Sequence, residues 1–136
     1  MIRNLAHVCI AATDLAATEE FYCSVLGINK VFDFIRGGET VGFYLRVLED
    51  CFIEVFRQDK AHVQDDCLIK HLCFEVDDID AVIRQIRSRG HEVTNKALGA
   101  DQSWQAWTAD PSGVRIEFHQ YTAESCQRTA RDCVLD

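Results

Sequence analysis

Four side chains in this sequence have the types and spacing to do chemistry together: His7, Glu54, His71 and Glu117. Each histidine stands near the start of an apolar run, "AHVCIAATDLA" for His7 and "KHLCFEVDDID" for His71. Each glutamate stands inside another, "FIEVF" for Glu54 and "RIEFH" for Glu117. A carboxylate in an apolar strand needs a partner or a cation, because burying it unpaired costs several kcal/mol. A lone strand glutamate usually faces water, and a lone strand histidine is usually an inert hydrogen-bonded residue. Two matching His/Glu pairs point instead to a pseudo-twofold site. Two imidazoles and two carboxylates suit one divalent first-row metal ion, with two octahedral positions left for water or substrate. Nickel, zinc, cobalt, manganese and iron all suit that donor set.

The elements that must position these residues repeat as well. Leu5 to Ala11 reads as a strand, Asp14 as a helix cap, and "LAATEEFYCSVLG" as a helix stopped by Gly27. Three strands follow: "KVFDFI", "VGFYLRV" and "CFIEVF". After a charged loop, Arg57 to Asp66, the order recurs. "KHLCFEV" reads as a strand, Asp78 as a cap, and "IDAVIRQIRSRG" as an amphipathic helix stopped by Gly90. "HEVTNKA", "WQAWTA" and "VRIEFHQY" then read as strands, with the tight turn "DPSG" before the last. His7 to His71, Cys9 to Cys73 and Asp14 to Asp78 each step by 64 residues; Gly27 to Gly90 and Glu54 to Glu117 step by 63. One residue deleted between cap and glycine explains both values. The expected fold is therefore α+β, one βαβββ unit used twice. The expected boundaries are residues 1–60 and 61–136, the second ending in a polar tail that is a short helix or frayed.

Composition narrows the function. The chain has 136 residues, 48% of them hydrophobic, enough for a real interior. Net charge is -8, which disfavours nucleic acid and anionic membrane surfaces as partners. No run of 18 apolar residues exists to span a bilayer, and the N-terminus does not read as a signal peptide. The seven cysteines are odd in number and form no C-x-x-C pair. They read as reduced thiols in a cytoplasmic protein, used as small apolar residues.

The motifs "HVCIAATDLAATEEFYCSVLG", "FIEVF", "KHLCFEVDDIDAVIRQIRSRG" and "DPSGVRIEF" resemble the vicinal oxygen chelate superfamily, the glyoxalase/bleomycin-resistance/dioxygenase group, from Leu5 to about Tyr121. The resemblance implies two paired βαβββ modules forming a curled mixed sheet around a metal site, with metal ligands at His7, Glu54, His71 and Glu117. Within the group the chain is most similar to glyoxalase I of the short bacterial type, a lactoylglutathione lyase. That implies proton transfer through an enediolate held by the metal, with Glu117 as base and Glu54 as ligand or as a catalytic group on the opposite face. It also implies a small-molecule substrate and a homodimer. Glu54 is followed by "VFRQDKAHVQDD", which lacks the asparagine that grips glutathione in that enzyme.

Two other readings stand beside this one. An acyl-CoA epimerase of the methylmalonyl-CoA type uses the same proton shuttle. Drug-sequestering relatives are metal-free binding modules. An extradiol dioxygenase needs only two His and one Glu, so Glu54 disfavours it. Strand alternation puts His119 and Arg115 on the face of Glu117, as a supporting residue and a possible contact for an anionic substrate or a salt bridge. It sends Trp104 and Trp107 to opposite faces and gives Phe43 and Leu45 as a pocket floor. Cys9 and Cys73 read as packing residues, and His62 and His91 carry no signal.

Overall fold

A computed structural model describes residues 1–59 and 68–135. The expected boundary between residues 60 and 61, together with His62 and Cys67, lies outside the described residues. By its contacts the chain divides into two compact units, Met1–Asp66 with Asp110–Val114, and Cys67–Ala109 with Arg115–Asp136.

The first unit runs β1 (His7–Ala12), α1 (Leu15–Glu20), a π-helical turn (Phe21–Val25), β2 (Asn29–Arg36), β3 (Glu39–Leu48) and β4 (Cys51–Arg57). Its sheet has the order β1-β4-β3-β2, with β1 parallel to β4 and the other pairs antiparallel. The second unit runs β5 (Leu72–Glu75), α2 (Ile79–Ser88), β6 (Ala97–Leu98), β7 (Trp104–Ala109), β8 (Arg115–Gln120) and α3 (Cys126–Thr129). Its sheet order is β5-β8-β7-β6, again with the first strand parallel to the last. Each unit is thus a βαβββ module with a mixed sheet, the α+β architecture read from the sequence.

The repeat is visible at the helix ends. Asp14 accepts from the Ala17 amide at 3.0 Å, and Asp78 accepts from the Ala81 amide at 2.9 Å. Each satisfies an amide that a helix start leaves without a partner. Gly27 and Gly90 both adopt positive φ, 77° and 80°, where a side chain would be strained.

Strand alternation sorts the residues by face. In the first sheet Ile10, Ala12, Phe43, Leu45, Ile53 and Val55 are buried with Phe21, Tyr22 and Val25. In the second, Ala106, Ile116 and Phe118 are buried with Ile79, Ile83 and Ile86 of α2. Each fully buried large aliphatic or aromatic contributes about 1.5–3 kcal/mol. The polar candidates sit at the intervening positions. At the outer side of the first sheet, β2 pairs with β3 alone among the described residues and exposes Val31, Phe32 and Ile35.

Two local expectations are corrected. The first helix is not uniform: the Leu26 amide reaches the Phe21 carbonyl at 3.0 Å, five residues back, and closes the π-helical turn. That wider turn lets Phe21, Tyr22 and Val25 all face inward. The expected strand "HEVTNKA" shrinks to Ala97–Leu98. Thr94 supplies the reason, because its hydroxyl oxygen accepts from the Trp107 amide at 2.9 Å in place of a ladder carbonyl.

Candidate metal centre

Glu117 lies in the middle of β8. Its register partners are Cys73 on β5 and Trp107 on β7, so the three side chains form a row across three strands. Glu117 is only 6% exposed, yet each of its oxygens has an imidazole partner. His71 Nε2 is 3.0 Å from Oε2, and His119 Nε2 is 2.9 Å from Oε1. His71 stands one residue before β5 rather than within it, and it is exposed. His119 is buried. A ring nitrogen that touches the carboxylate as N–H can turn its lone pair to a cation in the other tautomer.

Aromatic rings brace this cluster. The Trp107 ring meets His71 edge-on with centroids 4.9 Å apart, and the Arg115 guanidinium lies 5.0 Å over the Trp107 ring. Arg115 thus has an aromatic partner, and among the described residues no salt bridge of the kind weighed from the sequence is seen. Tyr121 stands edge-on to His119 at 5.8 Å. Arg128 lies over Tyr121 and pairs with Glu75 at 3.1 Å. Trp104 faces the other way, under Lys96 at 5.0 Å.

The first unit has a matching row. Glu54 on β4 has Cys9 of β1 and Tyr44 of β3 as register partners. His7 shares the face of Cys9 by alternation, and its ring lies 6.0 Å from Tyr44, edge-on. A run of aromatic contacts continues from there. Tyr44 stacks on Phe32 at 4.9 Å and on Phe52 at 5.2 Å, and Phe34 stacks on Phe56 at 4.6 Å.

Several expectations change here. Cys9 and Cys73 are not core packing residues: both are exposed, each beside its glutamate. Partial desolvation pushes the Cys73 thiol up to about 12, with help from the charge and hydrogen bond of Glu117 and the charge of Asp101. Cys9 is raised likewise by desolvation, then by its hydrogen bond to Glu54 and that residue's charge. Phe43 and Leu45 do not floor a pocket beside Glu54. Both are fully buried on the opposite face, and Tyr44 takes the place assigned to them. Phe43 instead lines an open cleft of about 490 Å³ in the first unit, with Asp14, Glu19, Lys30, Asp33 and Arg57, and that cleft contains none of the candidate ligands. His119, placed on the face of Glu117 by strand alternation, touches its Oε1.

The donor chemistry fits a divalent transition metal. The first unit presents His7 and Glu54 on one sheet face by alternation, and the second brings the imidazoles of His71 and His119 into contact with Glu117.

The profile of the Glyoxalase/Bleomycin resistance protein/Dioxygenase superfamily matches residues 4–118. Over 127 residues the chain is 26% identical to YaeR of Escherichia coli (strain K12), described as uncharacterized, covering 88% of this chain and 97% of that protein. It is 28% identical over 129 residues to a probable lactoylglutathione lyase of Synechocystis sp., covering 88% of this chain and 97% of that one. Among solved structures, the glyoxalase family protein from Enterococcus faecalis superposes with a TM-score of 0.75 at 25% identity, covering 86% of this chain and 97% of that one. The duplicated βαβββ build and a profile match reaching into both units agree: the chain belongs to the Glyoxalase/Bleomycin resistance protein/Dioxygenase superfamily.

Proposed function

We infer that this protein is a metal-dependent lyase or isomerase of the glyoxalase I type, similar to a lactoylglutathione lyase. The observation that carries the reading is the buried Glu117 carboxylate, gripped at both oxygens by His71 and His119. The repeated His/Glu pair and the resemblance to the Synechocystis protein support it. His7, Glu54, His71 and Glu117 are the residues that would hold a divalent ion, nickel or zinc first. When bound, that ion supplies Lewis-acid polarisation of the substrate's oxygens.

Glu117 is the base in this scheme. Its carboxylate takes the proton from the carbon beside a carbonyl and returns it to the neighbouring carbon. His119 holds Oε1 and His71 holds Oε2, so the carboxylate keeps one orientation, and Oε2 takes the proton once the His71 nitrogen releases it. Trp107 holds His71 in place. Glu54 stays a ligand or serves the opposite face. The substrate is a small molecule with two adjacent oxygens, a glutathione hemithioacetal in the leading reading and an acyl-CoA in the epimerase reading. The active form is proposed to be a homodimer. Free thiols at all six described cysteines support a reducing cytoplasm. Among the described residues no helix is long and apolar enough to cross a membrane.

One observation favours a second reading, a metal-free binding module. Phe32, Tyr44 and Phe52 stack in a row beside Glu54, with Phe32 46% exposed, and such a row suits a planar ligand. The test is metal analysis, then assay with methylglyoxal plus glutathione beside methylmalonyl-CoA. The enzyme reading expects bound metal and turnover that Glu117→Gln abolishes. No bound metal, and an unchanged melting temperature on adding nickel or zinc, would decide for the binding module.

A further inference from the structure

The second unit holds more donors than the ligand pair it was expected to supply. Cys73 Sγ, a Glu117 oxygen and a His119 ring nitrogen lie within 4.8 Å of one another. His71 Nε2 is not one of the three: it lies 3.0 Å from Oε2 of Glu117, whereas His119 meets Oε1. Glu117 and His119 are 6% and 8% exposed, so two of the three are more than nine-tenths buried. The third, Cys73, is exposed and gives an ion a way in.

The first unit lacks the equivalent set. It has His7, Cys9 and Glu54, but the residue two after its glutamate is Phe56, where the second unit has His119. Phe56 is engaged in a stack with Phe34. The extra nitrogen is therefore a property of the second unit alone.

We propose that Cys73, Glu117 and His119 form a site for a thiophilic divalent cation, zinc, cadmium or cobalt(II), that lies within the second unit. One sulfur, one nitrogen and one oxygen are three of the four donors that a zinc-like ion accepts, and water would fill the fourth position. The thiol discriminates against hard ions such as magnesium and manganese. On binding, the S–H bond breaks, its proton goes to solvent, and the sulfur electron pair forms the bond to the ion. The inference shares Glu117 with the proposed catalytic centre but requires none of His7, Glu54 and His71.

The test loads the intact chain with cobalt(II) and records the near-ultraviolet sulfur-to-cobalt charge-transfer band. The expected result is a band that survives in Cys9→Ser, His7→Ala and Glu54→Gln and disappears in Cys73→Ser. His119→Phe, which installs the first unit's residue, should weaken zinc binding at least about tenfold by titration. Circular dichroism of each variant establishes that it is folded. Cobalt bound without the band, or a band that follows Cys9 instead of Cys73, overturns the proposal and leaves the proton-transfer reading standing. A band that behaves as expected in a protein with no isomerase activity upholds the site and sinks that reading. Failure to bind cobalt at all sinks both.

Discussion

His71 and His119 hold opposite oxygens of Glu117, with Nε2–Oε2 at 3.0 Å and Nε2–Oε1 at 2.9 Å. A carboxylate gripped on both sides has little freedom to rotate. An amide in its place keeps the shape but turns one acceptor into a donor. Glu117→Gln should therefore lose one imidazole partner and cost about 1–3 kcal/mol, read by urea unfolding. The same variant should lose turnover. Full activity with an altered stability would remove Glu117 from the mechanism while confirming its contacts.

Trp107 is expected to act through His71. Its ring faces the imidazole on one side and carries the Arg115 guanidinium over its face. Trp107→Ala frees His71 to rotate and should weaken metal binding by about tenfold, as loss of an orienting partner does. Trp107→Phe keeps an edge-to-face contact and should retain most of the affinity. Calorimetric titration separates the two. Equal affinities for both variants would assign Trp107 to packing alone.

Gly42 sits in β3 opposite Phe56 of β4, two residues along from Glu54. A methyl group there would run into the Val55 carbonyl oxygen and the Phe56 ring. Backbone cannot yield as a side-chain tip can, so Gly42→Ala should cost about 1–3 kcal/mol. It should also disturb the Tyr44–Phe52 stack, visible in near-ultraviolet circular dichroism. A fully stable Gly42→Ala would mean that β3 and β4 separate easily.

Stability should fall at alkaline pH, through Tyr22. Its hydroxyl donates to Asp110 at 3.2 Å. Burial, then the charge of Asp110, then that hydrogen bond raise its pKa far above the usual tyrosine value of 10.0. Asp110 is also raised, chiefly by burial, against the pull of amides at Val114 and Ser112. A pKa higher in the folded state gives stability that is whole below the unfolded value and is lost as pH rises. For Tyr22 the loss begins near pH 10 and runs at about 1.4 kcal/mol per pH unit. Tyr22→Phe should remove that slope, measured by urea midpoints from neutral pH upward. An unchanged slope would place its origin elsewhere.

The sequence shows whatever is local and whatever repeats. Asp14 and Asp78 announce their helices because a cap needs only the next three residues. The contact of His71 with Glu117 is legible because strand period and internal repeat agree. What stays hidden depends on register between distant strands. Cys9 faces Glu54 only because β1 runs parallel to β4 with those two residues opposite. That alignment also puts Tyr44, not Phe43 or Leu45, beside the carboxylate. The truncated β6 is hidden for another reason: Thr94 has strand propensity but spends its hydroxyl on Trp107.

The outer side of β2 carries a cost. An extended segment with exposed Val31, Phe32 and Ile35 is a template on which another chain can add itself, one amide at a time. Lys30, Asp33 and Arg36 interrupt the apolar positions and act as gatekeepers. Replacing those three with apolar residues to improve packing would convert a guarded margin into a nucleus for aggregation.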